Sequence, residues 1–195
     1  MALQEVAIRE FWREFQHEEE AIYRGAESGA GLRERLERVH PDLEFDIGPV
    51  EEGRRTIVIS AGGIREAFPA VEALAEAAPN LSRWNVVRYR QRRPLRGKYA
   101  VGGLTLSPDT VRFEISAAGP GGGIVLYMPG YTLAEHSRYL ALALLLLDAV
   151  LGEYDVEMKL GTIGIAPADS GDYAHAPALA RLPGVFDAFS RESRN

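Results

Sequence analysis

Hydrophobic side chains recur at helical spacing near the start of the chain. They form one stripe, made of Ile8, Phe11, Trp12, Phe15, Ile22 and Tyr23. This spacing predicts a helix from residue 3 to about residue 24, which Gly25 would end. A second, shorter helix is predicted over "LRERLERV" (32–39), because Pro41 cannot continue it.

The hydrophobic period then changes from helical spacing to two, which predicts strands. "LEFDI" (43–47) and "RTIVIS" (55–60) form a predicted hairpin. The turn "SAGG" (60–63) leads into a predicted helix with Pro69 in its first turn, and the glycines suit a backbone with positive φ. "WNVVRYR" (84–90) is the next predicted strand.

The second half of the chain repeats this order. "VRFEIS" (111–116) and "IVLYM" (124–128) are predicted strands joined by the glycine-rich turn "AAGPGGG" (117–123). "TLAE" (132–135) has the form of a capping box with Thr132 as N-cap, so a helix should follow it to about Leu151. "EYDVEMKLGTIGI" (153–165) is then predicted as the strand that corresponds to "WNVVRYR".

These elements predict an α/β fold of the α+β type, with a mostly antiparallel sheet and a pseudo-repeat of strand, strand, helix and strand. The whole chain, 1–195, is interpreted as a single domain. Its parts are N-terminal helices over 1–40, a first half-repeat over 42–91, a second half-repeat over 110–166 and a C-terminal tail over 167–195.

The predicted helix of the second half is apolar on every side. From Tyr139 to Leu151, Asp148 is the one residue that is not apolar. Such a helix needs cover all round. We expect the sheet on one side and the N-terminal helix on the other, which places the helices in layers on one face of the sheet.

Composition limits the classes of function. The chain has no cysteine, which excludes disulfides and thiolate chemistry. The longest apolar run, 139–147, is too short to span a bilayer, and the N-terminus lacks the pattern of a signal peptide, so a cytoplasmic location without membrane contact is expected. The hydrophobic share of 46% is typical of a soluble globular protein.

The charge of the chain is uneven. Residues 83–98 hold seven Lys or Arg and no acid, although the net charge of the chain is −6. The remaining 15 basic and 28 acidic residues leave −13 elsewhere, which would repel a polyanion. We therefore expect no nucleic-acid partner: Arg88 and Arg90 should pair with carboxylates of the sheet, and the loop that contains Arg92 should be solvated.

Glu14 and His17 in the first helix have the spacing of a metal-binding pair. Neither faces the apolar stripe, and a di-metal site would need a second copy of the motif, so a solvated helix face is the interpretation. Glu19 lies inside the stripe. It is either a residue at the stripe edge that reaches water, or an anchoring or binding carboxylate with an arginine partner.

Charged side chains share one face of the predicted strands. The candidate binding residues, together with Glu19, are Glu44, Arg88, Arg90, Glu114, Glu153, Asp155 and Glu157. One explanation is an exposed sheet face with cross-strand ion pairs. The other is a site for a partner or ligand.

Three segments resemble a family of uncharacterised bacterial proteins of similar length. They are "FWREF" (11–15) with Glu19, "ISAGGIREAFPAVEALAEAAPNL" (59–81) and "LGEYDVEMKLGTIGI" (151–165). The resemblance implies an α/β domain and no mechanism. It directs attention to Glu19, Glu153, Asp155 and Glu157.

No catalytic motif emerges from the sequence. The leading hypothesis is a non-catalytic binding or interaction module, which uses the charged sheet face or a nearby cleft for a protein or small-molecule partner, with no cofactor, no catalytic residue and no metal site. The alternative is a hydrolase that uses Glu44, Glu114 and Glu157, with a divalent cation held by their oxygens. The oligomeric state stays open.

Overall fold

The computed structural model describes residues 2–25, 30–116 and 122–192. It confirms the α/β class, with helices, antiparallel strand pairs and a smaller number of parallel pairs. Contacts within the chain group into two compact units, Met1–Arg90 and Gln91–Asn195. Each unit is described by itself.

The first unit begins with two helices, as the hydrophobic spacing predicts. Helix α1 spans Ala2–Arg24 and helix α2 spans Ala30–Val39. Phe11 and Phe15 on α1 and Leu36 on α2 are buried in one core. The apolar stripe of α1 is therefore the face that packs inward.

The first unit continues with a three-stranded sheet. Its remaining elements are β1 (Glu44–Ile47), β2 (Arg55–Ser60), α3 (Phe68–Glu76) and β3 (Trp84–Arg88). Strands β1 and β2 form the predicted hairpin, with Phe45 opposite Ile59. Strand β3 runs parallel to β2 after the α3 crossover. Pro69 lies in the first turn of α3, as predicted.

The turn between β2 and α3 needs its glycines. Gly62 and Gly63 have φ angles of +58° and +81°, which confirms the predicted positive φ. The amide of Gly62 donates a hydrogen bond of 3.0 Å to Oγ of the buried Ser60. This bond satisfies the hydroxyl and holds the turn against the end of β2.

Helix α1 is fixed by aromatic contacts inside the first unit. The ring of Phe15 meets that of Trp84 edge-on, with 5.1 Å between centroids. Trp12 Nε1 donates a hydrogen bond of 2.8 Å to the Leu74 carbonyl in α3. The stripe of α1 is thus covered by the sheet and α3 of its own unit.

The second unit has a hairpin, a three-stranded sheet and three helices. Its elements are β4 (Tyr99–Val101), β5 (Leu104–Leu106), β6 (Arg112–Ser116), β7 (Gly123–Met128), α4 (His136–Leu151), α5 (Glu153–Lys159), β8 (Thr162–Pro167) and α6 (Leu182–Glu192). Strands β6 and β7 are antiparallel, and β8 adds to β7 in parallel. Most of the predicted turn 117–123, namely 117–121, lies outside the described residues.

The pseudo-repeat is visible in the topology of the two sheets. Each consists of an antiparallel pair followed by a parallel third strand after a helical crossover. In both halves a single 3-10 turn precedes the crossover helix, over Arg65–Ala67 and Leu133–Glu135. The predicted order of strand, strand, helix and strand is therefore confirmed.

The strand prediction for 153–160 is wrong, because these residues form α5. Gly152, with φ of +82°, ends α4, and a new helix starts directly after it. Val156 and Leu160 are buried four residues apart. Asp155 in the first turn and Lys159 in the last turn complement the helix dipole and form an ion pair of 2.5 Å. The third strand is β8 instead.

The capping box at 132–135 is also wrong. The Thr132 side chain makes no capping hydrogen bond, and α4 begins only at His136. The 3-10 turn takes its place: the amide of Glu135 donates to the Thr132 carbonyl at 3.0 Å. The backbone itself thus satisfies the group that a side chain was expected to satisfy.

Helix α4 is covered as its apolar character requires, but by different elements. Leu142, Leu146 and Leu147 are fully buried in the core of the second unit. The covering elements are the β4–β5 hairpin, β8 and α6. The prediction that the N-terminal helix covers this side is wrong, since α1 packs into the core of the first unit. The region 167–195, interpreted as a tail, supplies the buried Phe186.

Candidate functional site

In the first unit, one arginine neutralises both carboxylates of β1. Arg90 Nη2 lies 2.6 Å from Glu44 Oε2, and Arg90 Nε lies 2.8 Å from Asp46 Oδ2. Burial opposes the charge of Arg90, but the hydrogen bonds and negative charges of the two carboxylates outweigh it and raise the pKa of the guanidinium. The predicted pairing of Arg90 with sheet carboxylates is confirmed.

Arg88 pairs with a helix instead of the sheet. Strand alternation places Arg88 and Arg90 on one side, but Tyr89 between them has a φ of +60°. This left-handed residue turns the chain, so Arg88 forms its ion pair with Glu72 of α3. Tyr89 is buried and donates to the same carboxylate at 2.9 Å. The sequence pattern gave no sign of Tyr89 or Glu72.

Glu19 has the arginine partner that one of its two interpretations requires. Its Oε1 lies 3.3 Å from Arg83 Nη2, and Arg83 also binds Glu20 at 2.7 Å. The guanidinium lies over the Tyr23 ring, 4.4 Å from its centroid. The hydrogen bond with Arg83 lowers the pKa of Glu20. These contacts are typical of an anchor between α1 and the start of β3.

Glu14 and His17 of α1 remain apart from any site. Glu14 is only partly solvated, because its Oε2 lies 2.8 Å from Arg35 Nε of α2. Arg35 also binds Glu18 at 2.6 Å. His17 is exposed. The expected solvated face therefore holds for His17, whereas Glu14 joins α1 to α2.

The three acidic candidates at 153–157 belong to α5, so they do not share a strand face. Glu153 is fully buried and Glu157 is half-buried. Asp155 pairs with Arg92 at 2.6 Å. Arg92 also binds Asp187 at 2.9 Å and the carbonyl of Leu151. The prediction of a solvated Arg92 is wrong, because it joins the segment before β4 to α5 and α6.

A recurrent arrangement thus accounts for many of the carboxylates. In each case one guanidinium binds two acids: Arg35 with Glu14 and Glu18, Arg83 with Glu19 and Glu20, Arg90 with Glu44 and Asp46, and Arg92 with Asp155 and Asp187. Side chains used in this way are held in place and have fewer free acceptors for a ligand.

Glu114 of β6 is the exception among the strand carboxylates. Its Oε2 accepts a hydrogen bond of 2.9 Å from Tyr127 Oη on β7. Within the described ranges 2–25, 30–116 and 122–192, no Lys or Arg lies within ion-pair distance of it. Glu114 is exposed on the outer face of the sheet, so its charge is available.

Glu114 borders a cleft of about 400 Å³ in the second unit. Its lining residues are Phe113, Glu114, Ile115, Asp172, His175, Ala176, Pro177 and Val185. Aliphatic and aromatic groups from β6 and α6 form its apolar part, and carboxylates and an imidazole form its polar part. A few polar groups around an apolar concavity are typical of a small-ligand site.

The far wall of the cleft is held to β6 by main-chain hydrogen bonds. The amide of Phe113 donates to the Pro177 carbonyl at 3.1 Å, and the amide of Leu179 donates to the Val111 carbonyl at 3.0 Å. The wall therefore continues the sheet at the edge of β6.

Arg112 fixes the same wall by its side chain. Its Nη1 donates to the Ala176 carbonyl at 2.8 Å, and its guanidinium lies 5.1 Å from the centre of the Tyr173 ring. Tyr173 in turn donates to the Thr110 carbonyl at 3.1 Å. With backbone and side chain both anchored, the wall is preorganised for a ligand.

Tyr127 provides a measurable probe of the cleft's charge. The hydrogen bond to Glu114, burial of the ring, and the negative charges of Glu114 and Asp172 raise its pKa to about 12 from the usual 10.0. Because the pKa is raised in the folded state, Tyr127 stabilises the fold below about pH 10, and this contribution is lost as the pH rises through about 12.

We expect Glu114→Gln to lower the pKa of Tyr127 towards its ordinary value. The phenolate absorbance of the wild type and of Tyr127→Phe, titrated with base, isolates this one tyrosine by difference. The same pair of titrations in the Glu114→Gln background gives the shift. An unchanged Tyr127 pKa would mean that Glu114 does not act on the phenol.

Metal chemistry finds no ready site in the part of the chain that is described. No group of three or more His, Asp or Glu side chains there is placed to hold an ion. The carboxylates of the hydrolase alternative lie on different elements: Glu44 on β1, Glu114 on β6 and Glu157 on α5. None of the helices described is both long and apolar enough to cross a membrane.

Sequence reasoning found Glu114 but missed its neighbours. Tyr127 could have been found, because strand alternation in "GIVLYM" places it on the polar face. Asp172 and His175 follow β8 in a segment without periodicity, which gives no such signal. Comparison with protein-family models, with curated proteins and with solved structures yields no match to this chain.

Proposed function

We propose that this protein is a non-catalytic binding module whose ligand occupies the cleft beside β6. One observation carries the proposal: Glu114 is a strand carboxylate without an ion-pair partner among the described residues, and it borders a concave site of about 400 Å³. Ligand sites commonly have volumes of about 300–1,000 Å³. A small molecule or a single side chain of a partner protein fits that range.

The cleft is favoured over the charged face of the first sheet. There Glu44 and Asp46 already share Arg90. A ligand would have to displace these hydrogen bonds, which lowers its net gain in free energy. At the cleft, an incoming donor finds a carboxylate whose described partner is one phenol hydroxyl.

Binding is favoured over covalent catalysis by the chemistry of the lining. The lining side chains include one imidazole and two carboxylates, from His175, Glu114 and Asp172. None of the lining residues is a serine, threonine, cysteine or lysine that the imidazole could activate. The groups present are suited to orienting a ligand through hydrogen bonds and charge.

The proposal includes a cytoplasmic location and a small-molecule or protein partner instead of nucleic acid or membrane. The net charge of −6 and the lack of cysteine support it. Membership of a family of uncharacterised bacterial α/β proteins, suggested by the segments 11–15, 59–81 and 151–165, is part of the same proposal.

Filling the cleft should abolish binding. We expect Val185→Trp to remove the ligand response, because Val185 lines the cleft and an indole would occupy it. A thermal-shift screen with positive, neutral and negative small molecules, run on wild type and variant, makes the measurement. Val50→Trp is the matched control, since Val50 is 51% exposed in the first unit.

A second variant protects this test against misfolding. His175 is exposed at the cleft, so His175→Trp adds an indole without disturbing the core. Both cleft variants should keep the far-ultraviolet circular dichroism of the wild type. The proposal is abandoned if a ligand binds the wild type and both cleft variants equally well.

A further inference from the structure

The charge around the cleft narrows the chemistry of its ligand. Glu114 and Asp172 both belong to the lining, and both are exposed. Neither has an ion-pair partner among residues 2–25, 30–116 and 122–192. Both carboxylates also act on one point, the Tyr127 hydroxyl, whose pKa their negative charges help to raise.

The nearest arginine does not cancel this charge by direct contact. Arg112 belongs to the same outer face of β6 as Glu114. Its guanidinium donates to the Ala176 carbonyl and lies over the Tyr173 ring. It therefore serves the wall of the cleft, while the acceptor oxygens of both carboxylates stay open to a donor from outside.

The remaining lining is apolar. Phe113 and Ile115 from β6 and Val185 from α6 can contact a hydrocarbon chain. An apolar surface next to two carboxylates suits a ligand with a short aliphatic stem and a cationic end. Lysine and arginine side chains, alkylamines and alkylguanidines have this form.

We infer that the ligand of this cleft is an aliphatic cation, with an ammonium or guanidinium group held by Glu114 and Asp172. The inference rests on the proposed binding function and names its ligand class. Charge-assisted hydrogen bonds to carboxylates provide the selectivity, because a neutral or anionic group of the same size lacks the attraction. Binding weakens as salt is added, since both carboxylates are exposed to solvent.

Calorimetric titration at low salt with four matched compounds tests the inference. The probes are pentylammonium, pentylguanidinium, pentanol and pentanoate, which share the alkyl chain and differ in charge. We expect the two cations to bind at least about tenfold more tightly than pentanol and pentanoate. A blocked tripeptide with a central lysine forms a separate arm, which distinguishes a protein-borne cation from a free amine.

Two variants show where the cation binds. Glu114→Gln should weaken cation binding by about tenfold and leave the affinity for pentanol unchanged. Asp46→Asn is the matched control, because Asp46 is a strand carboxylate of β1 that already pairs with Arg90. It should alter neither affinity.

The outcomes separate this inference from the proposed function. If pentanol or pentanoate binds as well as the cations, and Val185→Trp abolishes that binding, the cation inference is wrong and the cleft proposal stands. If a cation binds equally to the wild type, Glu114→Gln and Val185→Trp, it binds elsewhere and both fail. Absence of binding by every probe, the tripeptide included, likewise contradicts the inference.

Discussion

Replacing Phe15 by alanine should lower the free energy of unfolding of the first unit by about 3–5 kcal/mol, the usual cost of removing a buried phenylalanine. Phe15 is fully buried and its ring contacts those of Phe11, Trp12 and Trp84. The substitution leaves a cavity between α1 and β3, and the aromatic contacts around it are lost.

Tryptophan fluorescence during denaturation by urea measures this effect, because both tryptophans of the chain, Trp12 and Trp84, belong to the first unit. Leu3→Ala is the control on the same helix, since Leu3 is 88% exposed. It should change the stability by less than about 0.5 kcal/mol. Equal effects of the two substitutions would contradict the packing of α1 described above.

Leu146→Ala should destabilise the second unit by about 2–5 kcal/mol. Leu146 lies in α4, where the sheet, the β4–β5 hairpin and α6 provide cover. The helix cannot rotate to expose the cavity to solvent, because its other sides are covered as well. The cost of the lost side chain is therefore paid inside the core.

Hydrogen exchange of the amides in α4 and β7, followed by mass spectrometry, reports on this unit. Faster exchange in both segments is the expected result for Leu146→Ala. Leu133→Ala provides the comparison, because Leu133 is 83% exposed in the turn before α4. If Leu146→Ala left exchange in α4 unchanged, this helix would not be the centre of the second core.

Hydrophobic periodicity was sufficient for most elements of the fold. The stripe of α1, the alternation in β2 and β7, and the all-apolar α4 each follow from burial on one or more faces. The pseudo-repeat could be predicted for the same reason, since both halves have the same sequence of periods. The elements that cover α4 could not, because an apolar surface does not specify its partner.

The alternation in 153–160 was ambiguous, and tertiary context decided it. Tyr154 and Met158 are exposed, whereas Val156 and Leu160 are buried, a pattern that fits one turn of helix as well as a strand. The glycine at 152 and the charges at the two ends of the segment favour the helix. Glu153, Asp155 and Glu157 consequently lost their place on a sheet.

The candidate site was predictable only in part. Alternation placed Glu114 and Glu44 on polar strand faces, and both are found there. Which carboxylate lacks a cation depends on long-range geometry. Tyr89 directs Arg90 towards Glu44 through one left-handed φ, and the wall with Asp172 reaches β6 through main-chain hydrogen bonds that no side-chain pattern records.

The most direct test of the central claim, that the cleft beside β6 binds the ligand, is amide NMR of isotope-labelled protein. The protein is titrated with a mixed panel of small positive, neutral and negative compounds. We expect chemical-shift changes that cluster at 113–115, 172–177 and Val185, the lining of the cleft. Changes that instead cluster around Glu44, Asp46 and Arg90, or no change with any compound, would contradict the account.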